Sequence, residues 1–190
     1  WNRPDLNDAD WASIPAEGFW EATVPGLETF DGIVWLRAEV TLSAAQARQA
    51  ATVALGPVDD ADATWVNGRF VGGQQGWDTP RTYAIPAGTL KAGRNVVAVG
   101  VLDTNGGGGA WGPATDKAIR FADGRISFRS ARRLEATPAA RFDTWSTLST
   151  DEAIAESWAS LMLVASTTTE ALSQVRESRP VMYEAASLAR

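Results

Sequence analysis

Apolar and polar residues alternate with period two along 33–42. Val34, Leu36, Ala38, Val40 and Leu42 share one face, and Trp35, Arg37, Glu39 and Thr41 share the other, which is the pattern of a half-buried strand. Further strands are expected at 51–55, 64–66, 69–71, 82–85, 95–102 and 126–128. Asn67-Gly68 stands between the third and fourth of these runs, a hairpin signal because both residues tolerate positive φ in a two-residue turn. The run 95–102 is apolar almost throughout, as expected for a central strand covered on both faces. About seven short strands separated by turn residues predict a mainly β fold, an antiparallel jelly-roll β-sandwich of the galactose-binding-domain-like kind. A parallel α/β fold needs helices between its strands, and the first 140 residues contain no helical pattern of sufficient length.

The pattern changes toward the C-terminus. All 17 glycines fall at or before Gly124, and the stretch that follows is rich in Ala, Ser, Thr and Glu, which favours helix. The expected organisation is a sandwich at 1–130, a linker at 131–148 containing Pro138, and a helical tail at 149–190. Ser149-Thr150-Asp151-Glu152 reads as an N-cap followed by first-turn acids. Ile154, Trp158 and Leu161 then form an apolar stripe that would pack against the sandwich or a second subunit, so association through the tail is an expectation.

Charge and missing residue types narrow the chemistry. The net charge is −6, and the longest basic cluster, Arg132-Arg133, falls well short of a nucleic-acid footprint. No run of about 18 apolar residues suggests a membrane helix. The chain starts at Trp1 rather than Met and so reads as processed, excised or truncated. It contains neither histidine nor cysteine. A Ser-His-Asp triad, a His base, His-ligated zinc, disulfides and thiolate catalysis therefore cannot be assembled from it alone. No catalytic residue, resident metal or cofactor is expected.

Several segments resemble known carbohydrate-active proteins. Trp1-Asn2-Arg3-Pro4-Asp5-Leu6-Asn7-Asp8-Ala9-Asp10-Trp11, then Val24-Pro25-Gly26 and Phe30-Asp31-Gly32-Ile33-Val34-Trp35-Leu36-Arg37, look like the opening of the sugar-binding jelly rolls of β-glycosidases. Three longer runs are more specific: 55–68 with its Asp59-Asp60-Ala61-Asp62-Ala63-Thr64-Trp65-Val66-Asn67-Gly68, 85–99, and Leu102-Asp103-Thr104-Asn105-Gly106-Gly107-Gly108-Gly109. Together they resemble the β-sandwich inserted into bacterial sialate O-acetylesterases, over roughly residues 1–130, a module related to the sugar-binding domain of family 2 glycoside hydrolases. The resemblance implies a parent enzyme that removes acetyl esters from sialic acid or other sugars, with a serine nucleophile upstream and Asp and His downstream. It implies an esterase catalytic domain or a glycan as partner, and a secreted or periplasmic setting. No serine here stands in a nucleophile-like Gly-rich context, so the likeness carries over the sandwich and not the active site. The tail has no counterpart in that family. A stand-alone lectin-like module and the sugar-binding domain of a family 2 type glycosidase are the alternatives.

Nine tryptophans supply the candidate sugar contacts, because an indole face stacks on the C–H face of a pyranose. Trp35 and Trp65 lie in expected strands and read as core. Trp11 and Trp20 read as cover over a sheet edge. Trp77 and Trp111 lie in Gly-rich loops, where ligand or domain contacts concentrate; the alternative is loop anchoring. Asp59, Asp60 and Asp62 would accept sugar hydroxyls or ligate Ca²⁺, or else simply stabilise a turn. Asn67 joins the carbohydrate-binding candidates with Trp77, Trp111, Asp59 and Asp60. Gly106 to Gly109 suggest a loop whose backbone approaches a partner closely. Arg37 is expected to form a surface or inter-sheet ion pair of small energetic weight.

Overall fold

The computed structural model describes residues 1–9, 11–128 and 131–138. Within them the chain forms ten strands: β1 (Ala12–Ile14), β2 (Gly32–Leu42), β3 (Ala51–Pro57), β4 (Ala61–Val66), β5 (Arg69–Gln75), β6 (Pro80–Ile85), β7 (Gly93–Asp103), β8 (Ala118–Phe121), β9 (Gly124–Ser127) and β10 (Ala131–Pro138). One short helix, α1 (Trp20–Thr23), precedes β2. The strands build two antiparallel sheets, ordered β1-β10-β2-β7-β4-β5 and β6-β3-β8-β9. The fold is therefore the antiparallel β-sandwich that the alternation predicts.

The main core lies between the sheets. Val34, Leu36, Ala38, Val40 and Leu42 of β2 point into it, beside Val97, Val99 and Val101 of β7 and Val53 and Leu55 of β3. Each fully buried Val or Leu contributes about 1.5–3 kcal/mol. The other face of β2 is exposed at Glu39 and Thr41, as the alternation predicts, but covered at Trp35 and Arg37. Trp35 packs there against Trp65 at 5.3 Å between ring centroids, in a second cluster with Ala61, Ala63, Ala98 and Leu102, covered by Trp1, Trp11 and Phe70. Trp35 and Trp65 are thus core residues of this outer cluster.

Arg37 also departs from expectation. It is buried, pairs with Asp8 at 3.2 Å, and donates to the carbonyls of Trp1 at 2.6 Å and Arg3 at 3.0 Å. Its guanidinium also lies 5.7 Å from the centre of the Trp11 ring. The N-terminal segment, which the alternation could not foresee as cover, is what buries it. Trp20 is 2% exposed and belongs to the main core rather than covering an edge.

Three strands fall outside the sequence reading. β1 and β8 are only three and four residues long. β10 occupies 131–138, where a linker is expected, and pairs with both β1 and β2. Its Arg132-Arg133-Leu134-Glu135 stretch lacks a period-two signal, and its place comes from backbone pairing with its neighbours. The rest of that linker and the helical tail at 149–190 lie outside the described residues.

One buried ion pair ties the sheets together at one end. Asp62 of β4 and Arg81 of β6 belong to different sheets and both side chains are fully buried, with Nε to Oδ1 at 2.7 Å. The same carboxylate accepts from Thr64 Oγ1 and Tyr83 Oη, each at 2.7 Å. Burial and the adjacent Asp62 push the Tyr83 phenol up, which keeps it a donor. Removing one partner of such a pair strands the other charge, at a cost of about 3–5 kcal/mol. Arg81→Met should therefore lower the urea unfolding free energy by about that amount, whereas Tyr83→Phe should cost about 1 kcal/mol. Equal small losses in both variants would show that the pair is dispensable.

Candidate functional site

Four of the five sequence-selected residues gather at the end of the sandwich held by Arg81. Beyond its bond to Asp62, the Arg81 guanidinium donates to Thr79 O at 2.5 Å, Gly76 O at 2.7 Å and Val58 O at 2.9 Å, with longer bonds to Gln74 O and Asp60 O. One side chain thus fixes both the 58–60 loop, which carries Asp59 and Asp60, and the 76–79 loop, which carries Trp77. Gly76 N donates to Asp60 O at 2.8 Å and closes the two loops on each other.

Trp77 is the one large apolar side chain left exposed among the described residues, at 56%. Its ring stacks on Trp111 at 6.2 Å and 19° between planes, and Trp111 stacks in turn on Phe19 at 5.1 Å and 24°. Trp111 Nε1 donates to Trp77 O at 2.8 Å, and Gly18 N donates to Trp111 O at 2.8 Å. The result is a three-ring stack with a half-buried middle ring and an exposed outer one. Each stacked pair contributes about 0.5–1.5 kcal/mol beyond its buried area. Trp111 is thus both an anchor and a part of the platform. Phe19 was not visible as a site residue, since nothing local ties it to a loop some ninety positions away.

Behind the stack lies a group of carboxylates. Asp59 and Asp103 are buried, Asp60 and Glu21 half-buried. Asp60 accepts from Thr104 N at 2.8 Å and Thr104 Oγ1 at 2.5 Å. Glu21 accepts from Gly108 N at 2.9 Å, and Asp103 from Asn105 N at 3.1 Å. Asp103 Oδ2 and Glu21 Oε1 are buried without a donor. Burial, with the charge and proximity of Glu21, pushes the Asp103 carboxyl up to about 8; Asp60 and Asp31 add to it. Burial, the neighbouring Asp60 and the charge of Glu21 push Asp59 up to about 7, against the pull of Arg81. Asp59 and Asp103 each hold a proton well above the usual carboxylate range. Among the described residues, no three acidic side chains converge as a metal site, so the Ca²⁺ alternative gains no support from the geometry. Asp62 belongs to the inter-sheet pair.

Asn67 lies at the opposite end, away from the other four. It turns the β4–β5 hairpin with φ of 50°, followed by Gly68 at 81°, the left-handed pair that this turn requires. Its amide donates to Thr89 O and Asn95 Oδ1 and accepts from Val96 N. Every polar atom of that side chain is engaged in pinning the turn. The glycine loop does approach a partner closely, and the partner is the chain's own helix. A Cβ on Gly108 would stand 2.2 Å from the Trp20 ring, while Gly108 O accepts from Trp20 N at 3.0 Å.

No protein-family model matches the chain, and no curated protein matches it. Among solved structures, it is similar to a β-glucuronidase of glycoside hydrolase family 2, with 22% identity, a TM-score of 0.46, and coverage of 53% of this chain and 12% of that one. It is also similar to a β-glucuronidase from Ruminococcus gnavus in complex with uronic deoxynojirimycin, with 21% identity, a TM-score of 0.37, and coverage of 39% and 13%. The chain thus spans only a small part of those enzymes.

The raised carboxyls have a consequence for stability. In the unfolded chain both groups lose their protons near the ordinary aspartate value of 3.8, whereas in the folded chain they keep them to about 7 and 8. The folded state binds more protons between those limits, so stability falls as pH rises through that window. Thermal melts should show the midpoint declining from about pH 5 to about pH 8, and Asp103→Asn, permanently neutral, should flatten the upper part of the decline. A midpoint that climbs across this range would contradict the assignment. Lys117, which burial lowers to about 8, acts above the window and in the opposite sense.

Proposed function

We propose that the chain is a non-catalytic, carbohydrate-associated β-sandwich module, accessory to a sialate O-acetylesterase-like hydrolase whose catalytic groups reside in other parts of the enzyme. The observation that carries the carbohydrate reading is the exposed Trp77 ring, backed by Trp111 and Phe19 and held in place by bonds to its own loop. A flat indole that does not need to reorganise is suited to the apolar face of a pyranose. On the adjoining loop, the half-buried Asp60 keeps Oδ1 as an acceptor while its Oδ2 is bonded by Thr104, and Asp59 is buried beside it. The esterase assignment is supported by the Asp-Asp-x-Asp-x-Thr-Trp-Val-Asn-Gly and Leu-Asp-Thr-x-Gly-Gly-Gly-Gly runs. The partner is a glycan, or the esterase catalytic domain that this end of the sandwich braces.

The test is glycan binding by the chain, followed by tryptophan fluorescence or a glycan array. Trp77→Ala should weaken binding by about tenfold or more and lower stability only by the lost stack on Trp111, about 0.5–1.5 kcal/mol. Binding that is indifferent to Trp77 would remove the platform from the account. The chain on its own should hydrolyse an activated acetyl ester no faster than buffer does. Turnover that survives purification would refute the accessory role.

A further inference from the structure

The surroundings of the aromatic stack are charged with one sign. Asp78 follows Trp77 directly and is exposed. Glu17, also exposed, sits against Trp111: its Oε2 accepts from Ala114 N at 3.1 Å, and the next residue, Gly18, donates to Trp111 O. Asp116 ends the short turn that follows Trp111. Asp60 and Glu21 lie behind, beside Asp59 and Asp103, whose raised carboxyls are neutral below about pH 7 and add no charge there. The cations of this end do not balance them at the surface. Arg81 is fully buried and committed to Asp62 and five carbonyls. Lys117 is buried with its Nζ on Gly112 O. Arg120 is exposed, bonds Asp116 O and stands opposite the exposed Arg125 across β8 and β9, two guanidinium groups against the exposed Asp78 and Glu17 and the half-buried Asp116.

We propose that this platform selects its sugar by charge, taking neutral or amino-bearing pyranosides and rejecting those that carry carboxylates, such as uronic and sialic acids. The inference rests on the carbohydrate reading of Trp77 and adds the chemical class of the ligand. Stacking on an indole is indifferent to a substituent at the ring edge, whereas the field of the flanking carboxylates is not. A ligand ammonium placed over the stack gains twice. It meets the negative faces of the rings, which attract cations, and it meets Asp78 and Glu17. For a ligand carboxylate the exposed guanidinium groups of this sheet are Arg120, itself bonded to Asp116 O, and Arg125 opposite it, both on the β8–β9 hairpin. If the parent enzyme acts on an acidic sugar, this end of the module would engage a neighbouring uncharged or amino sugar of the same glycan.

The experiment compares two ligands that differ in charge and share a backbone: a β-1,4-glucosamine oligosaccharide and its fully N-acetylated counterpart of equal length. Affinities are measured by tryptophan fluorescence at about pH 5.5, where the amines are protonated, in about 20 mM and about 500 mM salt. The amine form should bind ~3- to 10-fold more tightly at low salt, and the ratio should approach one at high salt as the charges are screened. Asp78→Asn should reduce the low-salt ratio without abolishing the binding of the acetylated form. A galacturonate oligosaccharide should bind more weakly than either. Equal affinities at low salt, or tighter binding of the uronate, would overturn charge selection while leaving the platform intact. Failure of all three ligands to bind, with wild type and Trp77→Ala alike, would overturn the carbohydrate reading itself and the selection with it.

Discussion

The Arg81–Asp62 pair is the constraint on which this end of the sandwich depends. It spans the two sheets, and no water reaches either side chain. Such a pair adds little net stability over an apolar substitute, but it is specific in direction. Asp62 Oδ1 and Oδ2 are both occupied by donors, which leaves the rest of the guanidinium to gather backbone carbonyls from two loops. A hydrophobic pair in the same place would hold the sheets together but would leave those carbonyls, and the loops that present Trp77 and Asp59, without a common anchor.

A second buried guanidinium does similar work on the outer face of the six-stranded sheet. Arg37 draws Trp1 and Arg3 onto that face through their carbonyls, and the covering segment seals the Trp35–Trp65 cluster. The sandwich therefore has two apolar layers rather than one. Among the described residues, one end carries the exposed Trp77 ring together with a group of carboxylates bonded to nearby backbone and Thr104. The opposite end is closed by Asn67 and Asn95, whose amides are fully engaged with each other and with neighbouring backbone.

Much of the architecture was legible in the alternation along β2 and in the apolar run of β7, because burial imposes a period on strands packed against a core. The Asn67-Gly68 turn was legible because few residue pairs tolerate its dihedral angles. Strands β1 and β8 were not, since three or four residues are too short to show a period, and β10 falls where the glycine-poor composition pointed to a linker. The site was legible in part for a related reason. Trp77, Trp111, Asp59 and Asp60 announce themselves by residue type within loops. Phe19, Glu21, Asp103 and Arg81 join them only through folding, from elements far apart in the chain. Asn67 shows the converse: a polar residue in a recognisable motif whose hydrogen-bonding capacity is consumed by the turn it makes.

The Trp77–Trp111–Phe19 stack is the proposed ligand face. The most direct measurement is a ¹H–¹⁵N titration of the indole N–H signals with a bound oligosaccharide. The signals of Trp77 and Trp111 should move together on binding, while those of Trp35 and Trp65, sealed in the outer cluster, should stay in place. Shifts confined to any other tryptophan, with Trp77 and Trp111 unmoved, would contradict it.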